Sequence, residues 1–134
     1  MSESPAKASI LLVDDHALFR EGVSRFLEAE AEFVIVGSVG SVQEALSILN
    51  TRTVDLILLD YDLGERDGID FIRQASELGF HGKILLVTAG VELRKATTLL
   101  QLGISGIFMK HNSPELLKQA MHEVLLGNVW FEKD

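Results

Sequence analysis

Five short, almost uninterrupted apolar runs, separated by amphipathic stretches, constrain this chain more than any other feature. The runs are Ser9–Val13, Phe33–Ser38, Asp55–Leu59, Lys83–Thr88 and Gly106–Met109. A strand buried on one face alternates apolar and polar residues; one buried on both faces is apolar throughout. Strands of the second kind, interleaved with helices, form a parallel sheet with crossover helices on its two sides. The intervening stretches carry helical spacing. Phe19, Val23, Phe26 and Leu27 recur at i, i+4, i+7 and i+8, and Val42, Ala45, Leu46 and Leu49 follow a Ser41…Glu44 capping box. Phe71, Ala75 and Leu78 mark a third helix, and Leu93, Ala96 and Leu100 a fourth. The fifth holds Leu117, Ala120, Met121 and Val124, with Ser113 as N-cap, Pro114 at the first helical position and Gly127 at the C-terminal cap. The pattern predicts an α/β fold, a (βα)5 doubly wound parallel sheet.

The chain's 134 residues suit one domain, and a 47% hydrophobic content supplies its core. Residues 1–7 read as a flexible tail and 8–127 as the domain. Residues 128–134 read as a second tail, or the start of a truncated linker, with Trp130 and Phe131 packing on the domain. Without cysteine there is neither a disulfide nor a thiolate metal site. Runs such as Val54–Leu59, broken by Asp55, fall far short of a membrane span. Met1–Ala8 lacks the hydrophobic segment of a secretory signal, so a cytoplasmic location and no membrane partner are expected. A formal charge of −8 disfavours direct nucleic-acid binding by this chain.

The polar residues of interest stand where apolar runs end. Asp14 and Asp15 follow the first run, Asp60 the third and Lys110 the fifth, while Thr88 closes the fourth. In an open parallel sheet all strand C-termini share one edge, and ligands bind where the strand order reverses. With the order 2-1-3-4-5, the three aspartates form one pocket with Thr88 and Lys110 on its rim. Two unit charges 4 Å apart repel by about 4 kcal/mol at an effective dielectric near 20. A cluster of carboxylates therefore requires compensation, by a bound proton, a lysine or a hard cation such as Mg2+, for which Mn2+ can substitute. The backbone carbonyl of Asp62 offers a further ligand. Such a pocket suits phosphoryl transfer to Asp60, because metal and lysine spread the charge on the transferring oxygens. A Thr88 hydroxyl then bonds one of them.

At these residues the chain resembles the receiver domain of bacterial two-component response regulators, from about Ala8 to Gly127. The matching stretches are LLVDDH at 11–16, DLILLDYDL at 55–63, DGID at 67–70, LLVTA at 85–89 and GIFMK at 106–110. The resemblance implies a flavodoxin-like fold, Asp60 as phosphoacceptor, and Mg2+ held by Asp14 and Asp15. It also implies that Thr88 and Lys110 contact a phosphoryl group donated by a sensor histidine kinase, with phosphorylation-dependent homodimers as one outcome. DDHALFREG and MKHNSPELLKQAM look most like the NarL/LuxR-type subgroup, whose receivers precede a helix-turn-helix DNA-binding domain. After Gly127 only NVWFEKD follows, so the chain is expected to be a truncated piece or a stand-alone regulator.

Three positions depart from the family pattern. Gly64 replaces a common proline, which loosens the loop after Asp60. His111 stands where many receivers have proline. Ile107 stands where the family carries the aromatic switch residue that swings inward when the threonine engages the phosphoryl group. Phe108 points to the opposite face of its strand, so weakened output coupling is expected. The four histidines, His16, His81, His111 and His122, show no metal-ligand spacing. They are read as outside the chemistry, with His16 in the first turn of a helix. Two rival functions remain: a pseudo-receiver used only for protein binding, and a haloacid-dehalogenase-like phosphatase suggested by Asp60-Tyr61-Asp62. In that phosphatase family, however, the aspartate motif normally opens the domain, ahead of its metal-binding acids.

Overall fold

The computed structural model describes residues 7–61, 65–90 and 93–131, with the backbone alone for 65–67 and 93–96. Strand and helix alternate: β1 (Ala8–Val13), α1 (Ala17–Glu28), β2 (Phe33–Val39), α2 (Val42–Thr51), β3 (Leu56–Asp60), α3 (Glu65–Glu77), β4 (Lys83–Thr88), α4 (Leu93–Gln101), β5 (Gly106–Met109), α5 (Pro114–Leu125) and β6 (Trp130–Phe131). All strands pair in parallel in one sheet of order β2-β1-β3-β4-β5-β6. The predicted order 2-1-3-4-5 holds, and the capping signals act as read. Ser41 Oγ accepts from the Glu44 amide, Ser113 Oγ from the Leu116 amide, and Gly127 takes the left-handed conformation at φ +98°.

Successive side chains of a strand point to opposite faces, and the sheet sorts its residues accordingly. Ile10, Leu12, Leu56, Leu58, Leu85, Val87 and Phe108 pack against Val23 and Leu27 of α1 and Leu117, Ala120, Met121 and Val124 of α5. Leu11, Val13, Ile57, Leu59, Ile84, Leu86 and Ile107 pack against Ala45 of α2, Phe71, Ile72 and Ala75 of α3 and Leu99 of α4. The sheet is thus clamped between two apolar layers, which holds its C-terminal edge rigid.

Four expectations are corrected. The sheet has a sixth strand: Trp130 and Phe131 pair with Gly106 and Ile107. Two residues are too few to show a period, and their slot exists only because Gly106 lacks a side chain. A Cβ there would lie 2.4 Å from the Trp130 carbonyl oxygen. β3 begins one residue later than expected, so Asp60 is its last residue, paired with Val87. β2 is an edge strand with Val34 exposed, not a strand covered on both faces. Leu78 lies beyond the end of α3 and is exposed, and among the described side chains of α4 the buried one is Leu99, not Leu100.

Candidate functional site

β1 and β3 are neighbours at the point where strand order reverses, and each ends in an acid. The Asp14 amide donates to the Val39 carbonyl at 3.0 Å, which keeps Asp14 in line with its strand. Arg20 of α1 donates to the Asp14 carbonyl at 2.6 Å. From the next strand but one, the Lys110 amide donates to the Thr88 carbonyl at 2.8 Å. The backbone thereby aims three side chains from β1, β3 and β5 at one point.

There Asp14 and Asp60 are each only 1% exposed, whereas Asp15 is open to solvent. Lys110 reaches into the pocket, instead of standing on its rim. Its Nζ lies 3.0 Å from Asp14 Oδ2 and 3.2 Å from Asp60 Oδ1, and 4.8 Å from the centre of the Phe19 ring. Burial pushes the Lys110 ammonium down, but its bonds to Asp14 and Asp60 outweigh that and hold it above its ordinary value. It stays protonated at neutral pH. One lysine facing three carboxylates leaves the pocket negative. Asp14, Asp15 and Asp60 each present an oxygen within a cluster whose ligand atoms lie within 4.8 Å of one another. These three carboxylates, with His16 as the fourth member of the cluster, offer the oxygens a hard divalent cation takes, and would accommodate one.

Thr88 is buried at the end of β4, where its hydroxyl donates to the Gly90 carbonyl at 3.2 Å and accepts the Gly90 amide at 3.1 Å. It braces the start of the loop after β4. Asp62 and Gly64 lie outside the described residues. Ile107 is buried, paired with Leu86 and Phe131, and belongs to the same apolar layer as Leu99. Phe108 faces the other layer, as strand alternation requires.

His16 was read as a first-turn helix residue near the pocket, and the structure places it just before the helix instead. It is the N-cap of α1, in extended conformation, and its side chain makes no capping bond. The ring instead lies over the pocket, with Nδ1 3.0 Å from Asp14 Oδ1, 3.3 Å from Asp15 Oδ1 and 3.4 Å from Asp60 Oδ2. The Asp14 hydrogen bond raises the imidazole pKa above its usual value against the opposing charge of Lys110. One available signal was its position directly after the two acids.

Comparisons with known proteins point to one family and one fold. The family profile described as "Response regulator receiver domain" matches residues 10–122. The nitrate/nitrite response regulator protein homolog of Haemophilus influenzae is 28% identical over 123 residues, covering 92% of this chain and 59% of that protein. The transcriptional regulatory protein DegU of Brevibacillus brevis is 29% identical over 124 residues, covering 92% and 52% respectively. The chain therefore spans somewhat more than half the length of these relatives. Among solved structures, a LuxR-family two-component response regulator from Aurantimonas sp. SI85-9A1 superposes with a TM-score of 0.84 at 28% identity, covering 95% of this chain and 90% of that one. The non-phosphorylated receiver domain of RcsB from Escherichia coli reaches 0.85 at 21% identity, covering 95% and 99%, which supports the fold.

Proposed function

Because the chain belongs to the response regulator receiver domain family, we propose that it is a phosphoacceptor switch acting through Asp60. The observation that carries this is the burial of Asp60 at the end of β3, within 3.2 Å of Lys110 Nζ and beside Asp14 and Asp15. The donor is the phosphohistidine of a sensor histidine kinase. A carboxylate oxygen of Asp60 forms the new P–O bond as the P–N bond breaks, and the imidazole nitrogen leaves with the bonding pair. Asp14, Asp15 and Asp60 would hold Mg2+ or Mn2+, and the Asp62 carbonyl would be a further ligand. When bound, the cation neutralises charge on the phosphoryl oxygens.

Lys110 supplies the remaining positive charge by shifting from Asp60 Oδ1 to the incoming group. Thr88 exchanges its bonds to Gly90 for one to a phosphoryl oxygen, which frees the β4–α4 loop. That exchange links chemistry to shape, and Ile107, on the strand beside Thr88, is too short and stiff to pass much of it on. The receiver proper comprises residues 8–127 and works in the cytoplasm. It is a regulatory protein whose only catalysis is its own phosphorylation from small donors and slow dephosphorylation. Its output is transcription, through a DNA-binding domain and phosphorylation-dependent homodimers. No described helix is long and apolar enough to cross a membrane.

Incubation with acetyl phosphate and Mg2+ tests this reading. Wild type is expected to gain one phosphoryl group, and Asp60→Asn or excess chelator to prevent it. Full labelling of Asp60→Asn at another residue would remove Asp60 from the mechanism.

A further inference from the structure

His16 is a residue of the pocket that the phosphoryl-transfer scheme leaves without a role. We propose that its imidazole is a ligand of the divalent cation and biases the site towards Mn2+ over Mg2+; this rests on the metal reading above. The first ground is spacing. Nδ1 stands 3.0, 3.3 and 3.4 Å from oxygens of three separate carboxylates. One N–H points along one direction and cannot serve all three. Donor atoms adjacent on an octahedron, each 2.0–2.1 Å from its ion, stand about 3 Å apart. Nδ1 thus occupies the position of a fourth donor in the cluster.

The second ground is the lone pair. Lys110 Nζ lies 3.1 Å from Nδ1. An ammonium only donates, so the tautomer that meets Lys110 presents its Nδ1 lone pair, whereas the other donates Nδ1–H to Asp14. The third is anchorage: the His16 amide donates to Asp14 Oδ1 at 2.8 Å, tying the ring's own backbone to one of the proposed ligands.

Chemistry then sets the preference. Mg2+ takes oxygen and keeps its waters, whereas imidazole suits transition metals. A nitrogen donor therefore adds affinity for Mn2+ and little for Mg2+. Because the His16 side chain makes no capping bond, its removal leaves α1 intact.

The test loads the intact chain with Mn2+ and records electron spin echo modulation, with Mn2+ and Mg2+ affinities measured by calorimetry. Wild type is expected to show a directly bonded nitrogen. His16→Ala loses it, along with about tenfold in Mn2+ affinity, and keeps its Mg2+ affinity; His111→Ala retains both the nitrogen and the affinity. Mn2+ bound without nitrogen coupling overturns the role of His16 and leaves the carboxylate site standing. So does an equal loss of both ions in His16→Ala. Failure of wild type to bind either ion overturns both this inference and the metal reading beneath it.

Discussion

Asp55 stands just before β3 and Asp60 closes it, so one short strand is flanked by the same residue type at opposite edges of the sheet. Asp55 Oδ2 accepts the Ser9 amide at 2.8 Å and the Ser9 hydroxyl at 3.0 Å. Its own amide donates to the Ser9 carbonyl, and its carbonyl accepts the Lys83 amide. Neutral donors surround it, and its work is to pin the starts of β1, β3 and β4 together. Asp60 meets charges instead: Lys110 at 3.2 Å, with Asp14 and Asp15 in the same cluster. A carboxylate met by neutral donors is stabilising and inert. One crowded by other carboxylates holds unfavourable energy that a cation or an incoming phosphoryl group can reorganise. Residue type does not separate the two; the surroundings do.

The contrast is broken most directly by neutralising each end. Asp60→Asn is expected to abolish labelling by acetyl phosphate, while Asp55→Asn keeps it. Stability should move in opposite directions. In Asp55→Asn the amide oxygen still accepts from Ser9, and losing the charge assistance of those bonds costs about 1 kcal/mol. Asp60→Asn relieves repulsion and raises the urea midpoint in the presence of chelator. Midpoints that shift the same way in both variants would mean that the pocket is not a region of net repulsion.

A smaller effect is expected at the sheet's far edge, away from both aspartates. A Cβ at Gly106 would lie 2.4 Å from the Trp130 carbonyl oxygen and 3.0 Å from its Cβ and amide nitrogen. Gly106→Val should therefore release β6 and cost about 1–3 kcal/mol, with Trp130 fluorescence moving to the red and labelling unchanged. Unaltered fluorescence would show that Trp130 does not depend on this slot.

The smallest effect concerns coupling. A ligand shifts a two-state equilibrium only through contacts that differ between the states. Isoleucine is short and stiff at χ1, so Ile107 should supply little difference. Beryllofluoride is expected to bind normally at Asp60, yet to move amide resonances across residues 91–110 only modestly, and Ile107→Tyr to enlarge that response. Equal or larger shifts in wild type would show that coupling runs through other residues, such as Thr88 and its bonds to Gly90.

The strands and the edge carrying the acids were legible in the sequence, because each rests on a local property, whereas the strand order came from the family resemblance. Unbroken apolar runs such as Leu56–Leu59 report burial on both faces, and an acid directly after such a run in a parallel sheet must lie on the ligand-binding edge. Local signals misled where neighbours decide. Leu78 and Leu100 match a helical period but face water, because burial of a helix face depends on what packs against it. Trp130 carries no period at all, and its strand forms through the space left by Gly106 on another element.

By itself, then, the sequence determined the α/β sheet and the placing of Asp14, Asp15 and Asp60 on its ligand-binding edge; the pairing of β1 with β3 brings them together there. Only the tertiary structure decided that Lys110 bonds both buried carboxylates, that the Thr88 hydroxyl braces its own loop, and that His16 enters the pocket. His16 and Lys110 lie 94 residues apart yet meet at 3.1 Å. The direction a side chain takes beyond a strand end is set by charges and surfaces arriving from distant parts of the chain, and no local period records it.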